Sequence, residues 1–309
     1  MIKMYNTDIN TNITEETKDL KKGNWINMIS PTEEEIQRVC AALQIKQDFI
    51  RYSLDEEEKA RIDTEDDDNT TLYIIDIPVI ESDRTRRVYV TMPIGVIFVR
   101  DDYIITVSQK NKDIKTENVI TYKKSRFLLQ ILYANSKKFL SLLYKINKEL
   151  ESTENKLKNS LQNEGLLKML DLEKSLVYFT TSLKSNEVVM EKTTRGKIIK
   201  LYEEDEDLLE DAIIENKQAI EMAKIYSDIL SGTMDTYASI ISNNLNAVMK
   251  ILTSVTFILA IPTLIASIWG MNVELPFQRE PLGFLIITVF SIIMCIVATI
   301  WLKRKRMLN

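Results

Sequence analysis

Between Asp228 and Gly270 small and polar side chains recur at alternating steps of four and three residues. They are Asp228, Gly232, Asp235, Ser239, Ser242, Asn246, Met249, Thr253, Thr256, Ala260, Thr263, Ser267 and Gly270. Such a seven-residue repeat keeps one seam of a helix facing a common axis in a left-handed bundle. A seam that excludes water would carry Leu and Ile. Here Met249 is the one bulky apolar member, while Phe257, Leu259, Leu264 and Ile265 fall elsewhere. Small residues also let membrane helices pack closely, but close packing does not require a polar seam outside the bilayer. A water-filled path does. Rings of amide and hydroxyl oxygens suit the water shell of magnesium, an ion that dehydrates reluctantly. Asp235 would gather cations at the cytoplasmic end.

The elements that must carry this seam are legible from charge. From Ile251 to Val273 there are 23 residues without a charge, and from Pro281 to Leu302 there are 22. About 20 apolar helical residues cross a bilayer core, so we expect two spans, about 251–271 and 282–302, joined by a short outer loop, 273–281. Neither span holds an ionisable Asp, Glu, Lys, Arg or His, which favours a passive channel over a proton-coupled carrier. Two spans per chain do not enclose a pore, so several copies must surround it. Lys250 and the basic tail Lys303, Arg304, Lys305 and Arg306 flank the face opposite the loop, which places both termini in the cytoplasm of a cell-membrane protein.

The chain has 309 residues and a formal charge of −5. Residues 251–309 hold two acids against five bases, a net of +3, which leaves −8 on the first 250 residues. An acidic soluble part argues against nucleic acid. Cys40 and Cys295, one soluble and one in an apolar run, are not a plausible pair and fit a reducing compartment. Histidine is absent, glycine totals seven, and no phosphate-cradling loop appears. With no nucleophile–base set either, the sequence does not read as an enzyme or as the holder of an organic cofactor. The N-terminus is polar and is not a signal peptide.

Residues 1–122 read as a cytoplasmic α/β domain. "WINMIS", "TLYIIDIPVI", "RVYVTMPIGVIFV" and "DYIITVS" are β-branched runs bounded by charged turns, and Ser30-Pro31-Thr32 before three glutamates starts a helix. Residues 123–250 read as a helical stalk region. Helices are expected from Ser125 to about Gln162, from Leu166 to about Thr193, and from Leu201 to Gly270, the last with candidate breaks at Gly232 or Pro262. As one helix it would extend ~105 Å.

"IWGMN" followed by "VELP" resembles the signature loop of the CorA family of magnesium channels, whose first span ends in Gly-Met-Asn. "SNNLNAVMKIL" before the span, the two terminal spans, the "KRKRMLN" tail and "WINMIS-PTEEEI" match that family's pattern as well. The resemblance implies a homopentamer with a funnel-shaped cytoplasmic α/β domain and a long stalk helix continuing into the first span. It implies a selectivity ring at Asn272 beside Gly270 and Met271, and an inner pore asparagine at Asn246. Met249 and Leu252 would form the hydrophobic constriction, where the seam itself points to Thr253. Thr263 would be a pore threonine and Asp235 a cytoplasmic pore aspartate. The family's bulky residue nearer the outer end falls at Ala260, so no second constriction is expected there. A regulatory magnesium ligand maps to Asp211, its partner being left open among Asp76, Glu81 and Asp83.

The reading is therefore gated, passive transport of magnesium, with cobalt or nickel as further cargo, closed by cytoplasmic magnesium. Two alternatives stand beside it: a zinc transporter of the same fold, and a membrane-anchored coiled-coil protein without transport. The acidic runs at 55–58, 63–68 and 203–207 read either as solvated faces or as loose magnesium-sensing surfaces.

Overall fold

A computed structural model describes residues 1–65, 69–82, 87–100, 102–110, 119–159, 163–195, 199, 201–271 and 282–307. The chain divides into two compact units, Met1–Gly232 and Thr233–Asn309.

The first unit is built on one sheet of seven strands: β1 (Ile2–Thr7), β2 (Thr14–Thr17), β3 (Trp25–Ile29), β4 (Arg61–Glu65), β5 (Thr70–Ser82), β6 (Arg87–Val99) and β7 (Tyr103–Ser108). Their order is β2-β1-β3-β7-β6-β5-β4, antiparallel throughout except for the β3–β7 pair. The α/β character of this part matches the expectation. β1, β2 and β4 are additions, because their charged and polar residues hide the alternation that marks the apolar strands.

Alternate residues of each strand feed two cores. On one face Ile26, Met28, Leu72, Ile74, Ile97 and Ile105 meet α1 (Glu33–Leu43) and α2 (Gln47–Tyr52) through Ile36, Val39, Leu43, Phe49 and Ile50. On the other, Trp25, Tyr73, Ile75, Ile94, Val96 and Ile104 meet three long helices, α3 (Lys124–Asn159), α4 (Asn163–Thr194) and α5 (Glu203–Trp269). The anchors there include Phe127 and Leu132 of α3, Val189 and Met190 of α4, and Leu209 and Ala212 of α5. Both faces of the sheet are covered, which is why its central strands read as near-continuous apolar runs.

Local signals account for several boundaries. Thr32 caps α1 in a capping box: the Glu35 N–H donates to its Oγ1 at 3.3 Å, and the Thr32 N–H donates to Glu35 Oε2 at 3.0 Å. Gly95 has no room for a side chain, since a Cβ would lie 1.8 Å from Ser53 Oγ at the end of α2. α5 runs unbroken through both Gly232 and Pro262, where breaks were expected to be located if present. α6 (Gly283–Arg304) is the last helix.

β4 begins opposite Ile74, and beyond that point β5 has no strand neighbour on that edge among the described residues. Side chains take the place of the missing strand. The Asp76 N–H donates to Asn186 Oδ1 at 2.9 Å, and the amides of Asn186 and Asn135 both donate to the Asp76 carbonyl at 2.8 Å. Asp76 is consequently buried between the sheet and α3 and α4.

Candidate functional site

In the second unit α5 and α6 meet along one face each. From Ile251 onward the α5 residues with reduced exposure are Ser254, Ile258, Ile261, Pro262, Ile265 and Trp269; on α6 they are Gly283, Ile287, Ser291, Cys295, Ala298 and Leu302. Ser254 is fully buried, and its hydroxyl donates to the Met307 carbonyl at 3.3 Å. An α-helix turns about 100° per residue. Thr256, Ala260, Thr263 and Ser267 therefore project from the side of α5 opposite to Ser254, Ile258 and Ile265. All four are exposed, as are Asp235, Asn246, Met249, Leu252, Thr253 and Gly270. The polar seam is thus left uncovered by this chain's own second span.

Four of the seam's hydroxyl groups share one orientation. Ser239 donates to the Asp235 carbonyl at 3.0 Å, Thr253 to Met249 at 2.8 Å, Thr256 to Leu252 at 2.9 Å and Thr263 to Leu259 at 3.0 Å. Each hydroxyl proton is held by the helix one turn back, so the oxygen turns only lone pairs outward. At these four levels the seam offers acceptors, which suit a cation's water shell, whose hydrogens point away from the ion. The spacing of the sequence placed these residues on one face; only the bonds reveal their polarity.

Met249 and Leu252 stand on the same exposed side, one turn apart, at 51% and 58% exposure, so two large apolar groups occupy consecutive levels of the seam. At the C-terminal end of α5 the Gly270 N–H bonds to the Ala266 carbonyl at 2.9 Å, and the Met271 N–H turns to Ile268 at 3.2 Å. Among the described residues the one glycine with positive φ is Gly23, so Gly270 keeps a backbone open to other residues, and an added Cβ would lie 3.3 Å from the Ala266 carbonyl oxygen one turn back. Asn272 lies outside the described residues, as does the loop to Pro281.

In the first unit Asp211 is exposed on α5. Lys137 of α3 has its ammonium pKa raised, chiefly by Tyr133 and more weakly by Glu215 and Asp211. Of the three candidate partners, Asp76 is buried, Glu81 pairs with Lys110 at 2.7 Å, and Asp83 lies outside the described residues. No cluster of three or more carboxylate, thiol or imidazole groups suited to a metal occurs among the described residues.

The acidic runs divide. Glu58 and Asp63 pair with Arg61, and Glu65 pairs with Lys46. Asp205 is buried, accepting from Ser125 Oγ at 2.8 Å with Arg126 at 3.6 Å, so it ties the start of α5 to the start of α3. Glu206, Asp207 and Asp211 remain exposed. The Asp205 tie escaped the sequence reading because a run of like charges does not say which member turns inward.

The family model described as CorA-like Mg2+ transporter protein matches residues 21–304. This chain belongs to the CorA family. It is 30% identical over 293 residues to the cobalt/magnesium transport protein CorA of Methanocaldococcus jannaschii, covering 91% of this chain and 90% of that protein. The CorA of Thermotoga maritima is 32% identical over 148 residues, 44% of this chain and 42% of that one. Among solved structures, the complete CorA magnesium transporter from M. jannaschii superposes with a TM-score of 0.82 at 26% identity, covering 98% of both chains. The cytoplasmic domain of ZntB from Vibrio parahaemolyticus shares the fold, with a TM-score of 0.60 at 10% identity over 78% of this chain and 98% of that one. CorA proteins are membrane transporters of divalent cations and not enzymes. The two apolar helices, α5 in its second half and α6, are the candidate spans of this one.

Proposed function

We propose that this CorA protein is a passive magnesium channel, with cobalt or nickel as further cargo, and that it works as a homopentamer in the cell membrane with both termini cytoplasmic. The observation that carries the reading is the seam of outward-facing oxygens on α5, opposite to α6. A face of Asp235, Asn246, Thr256, Thr263 and Ser267 left open by the second span is what copies of α5 around a common axis would enclose. Asp235 gathers cations at the cytoplasmic end. Met249 and Leu252 form the closed constriction, since apolar rings in a narrow pore exclude water and with it ions. Gly270, Met271 and Asn272 form the outer mouth, where the amide oxygens of Asn272 hold the ion's water shell without a charge that would hinder release. Bound cytoplasmic magnesium, with Asp211 among its ligands, favours the closed arrangement.

Ion uptake into proteoliposomes tests this. Magnesium is expected to enter down its gradient with or without a proton gradient, and uptake of zinc alone would favour the zinc-transporting alternative. Asn272→Ala is expected to abolish magnesium uptake while the oligomer still assembles, as read by native mass. Asn272→Asp keeps the size and adds charge, and is expected to slow conduction and tighten block by divalent cations. Parental uptake in Asn272→Ala would remove this residue from selection.

A further inference from the structure

Pro262 interrupts the hydrogen-bond ladder of α5, because proline has no N–H for the carbonyl four residues back. That carbonyl belongs to Ile258, in the stretch apolar enough to cross the membrane. Water is not at hand there to replace the lost donor, and an unpaired carbonyl in hydrocarbon is unfavourable. The structure supplies another donor from the neighbouring helix. Cys295 of α6 has its Sγ 3.7 Å from the Ile258 carbonyl oxygen, within the reach of a thiol hydrogen bond. Cys295 is half-buried on the face of α6 that meets α5. The next carbonyl along is doubly served, since Thr263 also donates its hydroxyl to Leu259 at 3.0 Å.

We infer that Cys295 is a positioning residue for transport, its thiol replacing the N–H that Pro262 lacks and tying the weak point of α5 to α6. Thr263 follows directly after the proline and Ser267 one turn later, with Gly270, Met271 and Asn272 beyond them, so the tie sets the register of the outer seam. The surroundings make it matter. A groove of about 810 Å³ lies between the helices here, lined in part by Pro262, Trp269, Phe284, Ile287 and Ser291. Past Pro262, therefore, α5 has space beside it, whereas the Ser254–Met307 bond holds the other end. A serine at position 295 would keep the donor; an alanine would remove it at little change in volume.

The functional half of this inference rests on α5 lining the ion path, and the experiment separates the two. In full-length protein carrying Cys40→Ala, Cys295 is the single thiol, and its S–H stretch falls in an infrared window free of other protein bands. The band is expected at the lowered frequency of a bonded thiol; a band at the free-thiol position overturns the inference whatever the transport result. Uptake of magnesium is then measured for Cys295→Ala and Cys295→Ser, with and without Pro262→Ala. Cys295→Ala is expected to lower uptake about threefold to tenfold, the range of one net hydrogen bond, and Cys295→Ser to stay within about twofold of the parent on the same scale. With Pro262→Ala the helix regains its own N–H, and Cys295→Ala should add no further loss. Equal losses in both backgrounds, or a serine variant as impaired as alanine, would refute the positioning role. If the parent takes up no magnesium, the proposed function fails, while the S–H band still reports on the bond.

Discussion

The hydroxyls of Thr256 and Thr263 each give their proton to a carbonyl one turn back and leave lone pairs facing the seam. Thr256→Val and Thr263→Val keep the branched shape and remove those lone pairs. Each is expected to lower magnesium uptake about threefold to tenfold, since a hydrogen bond lost to the ion's polarised water shell is worth somewhat over 1 kcal/mol. Parental uptake in both valine variants would mean that the seam's hydroxyls serve packing alone. A second prediction at this scale concerns Asp76, whose pKa burial pushes up to about 6, with the Ser182 hydroxyl and Lys59 opposing more weakly. Unfolded, the same carboxyl titrates near 3.8. The folded chain therefore keeps a proton that the unfolded chain has released. The resulting stability is fully present below about pH 3.8 and is lost as pH rises through about 6. The ionised form costs about 3 kcal/mol by that shift. Asp76→Asn is expected to flatten this slope and to raise stability at neutral pH. Urea unfolding followed through the buried Trp25, in a full-length chain with Trp269→Phe and Trp301→Phe, reads it. A slope unchanged by Asp76→Asn would assign the pH dependence to another group.

α5 is one helix with two duties. In the first unit its Leu209 and Ala212 are packed into the core beneath the sheet. In the second unit it keeps one face for α6 and leaves the opposite face open. Met249 and Leu252 occupy that open face at consecutive levels, between Asn246 and Thr253. Met249→Ser and Leu252→Ser are expected to raise leak at high internal magnesium, because a polar ring at a constriction stays wet. The measurement is residual uptake into proteoliposomes loaded with magnesium. Variants as tightly closed as the parent would place the constriction elsewhere on the helix.

For the whole molecule, the proposed closure by magnesium requires that occupancy of sites in the first unit be felt at the proposed pore. A ligand shifts the balance between open and closed arrangements only by its differential affinity for the two. Sensing at a Kd of ~1 mM corresponds to about −4 kcal/mol per site, so several equivalent sites in an oligomer would act together. Asp211 remains exposed on α5, unlike Asp205, which is already engaged by Ser125 and Arg126. Asp211→Lys is expected to mimic a bound cation and close the channel at low magnesium, and Asp211→Ala to move inhibition to higher magnesium. Uptake against internal magnesium, with protease protection of the first unit in parallel, checks both. Unchanged curves for the two variants would leave Asp211 as a solvated position on the helix.

What was legible in the sequence alone rests on short-range chemistry. Two uncharged runs of bilayer length mark the spans, β-branched runs mark the central strands, and the Thr32–Glu35 pair marks the start of α1. A seven-residue repeat puts Asn246, Met249, Thr256 and Thr263 on one face, and Gly-Met-Asn points to the family. Each of these depends on residues within a few turns of one another. Through-space relations were decided by the tertiary structure. Ser254 and Thr256 look alike in sequence, yet packing against α6 buries the first and leaves the second open. Asp76 lies in an apolar run with nothing to announce that β4 stops short of it and that Asn135 and Asn186 close the edge. Cys295 reads as one more apolar residue until α6 sets its thiol beside the carbonyl that Pro262 leaves without a donor. In each case a backbone or side-chain polar group must find a partner once water is removed, and that partner comes from an element far along the chain.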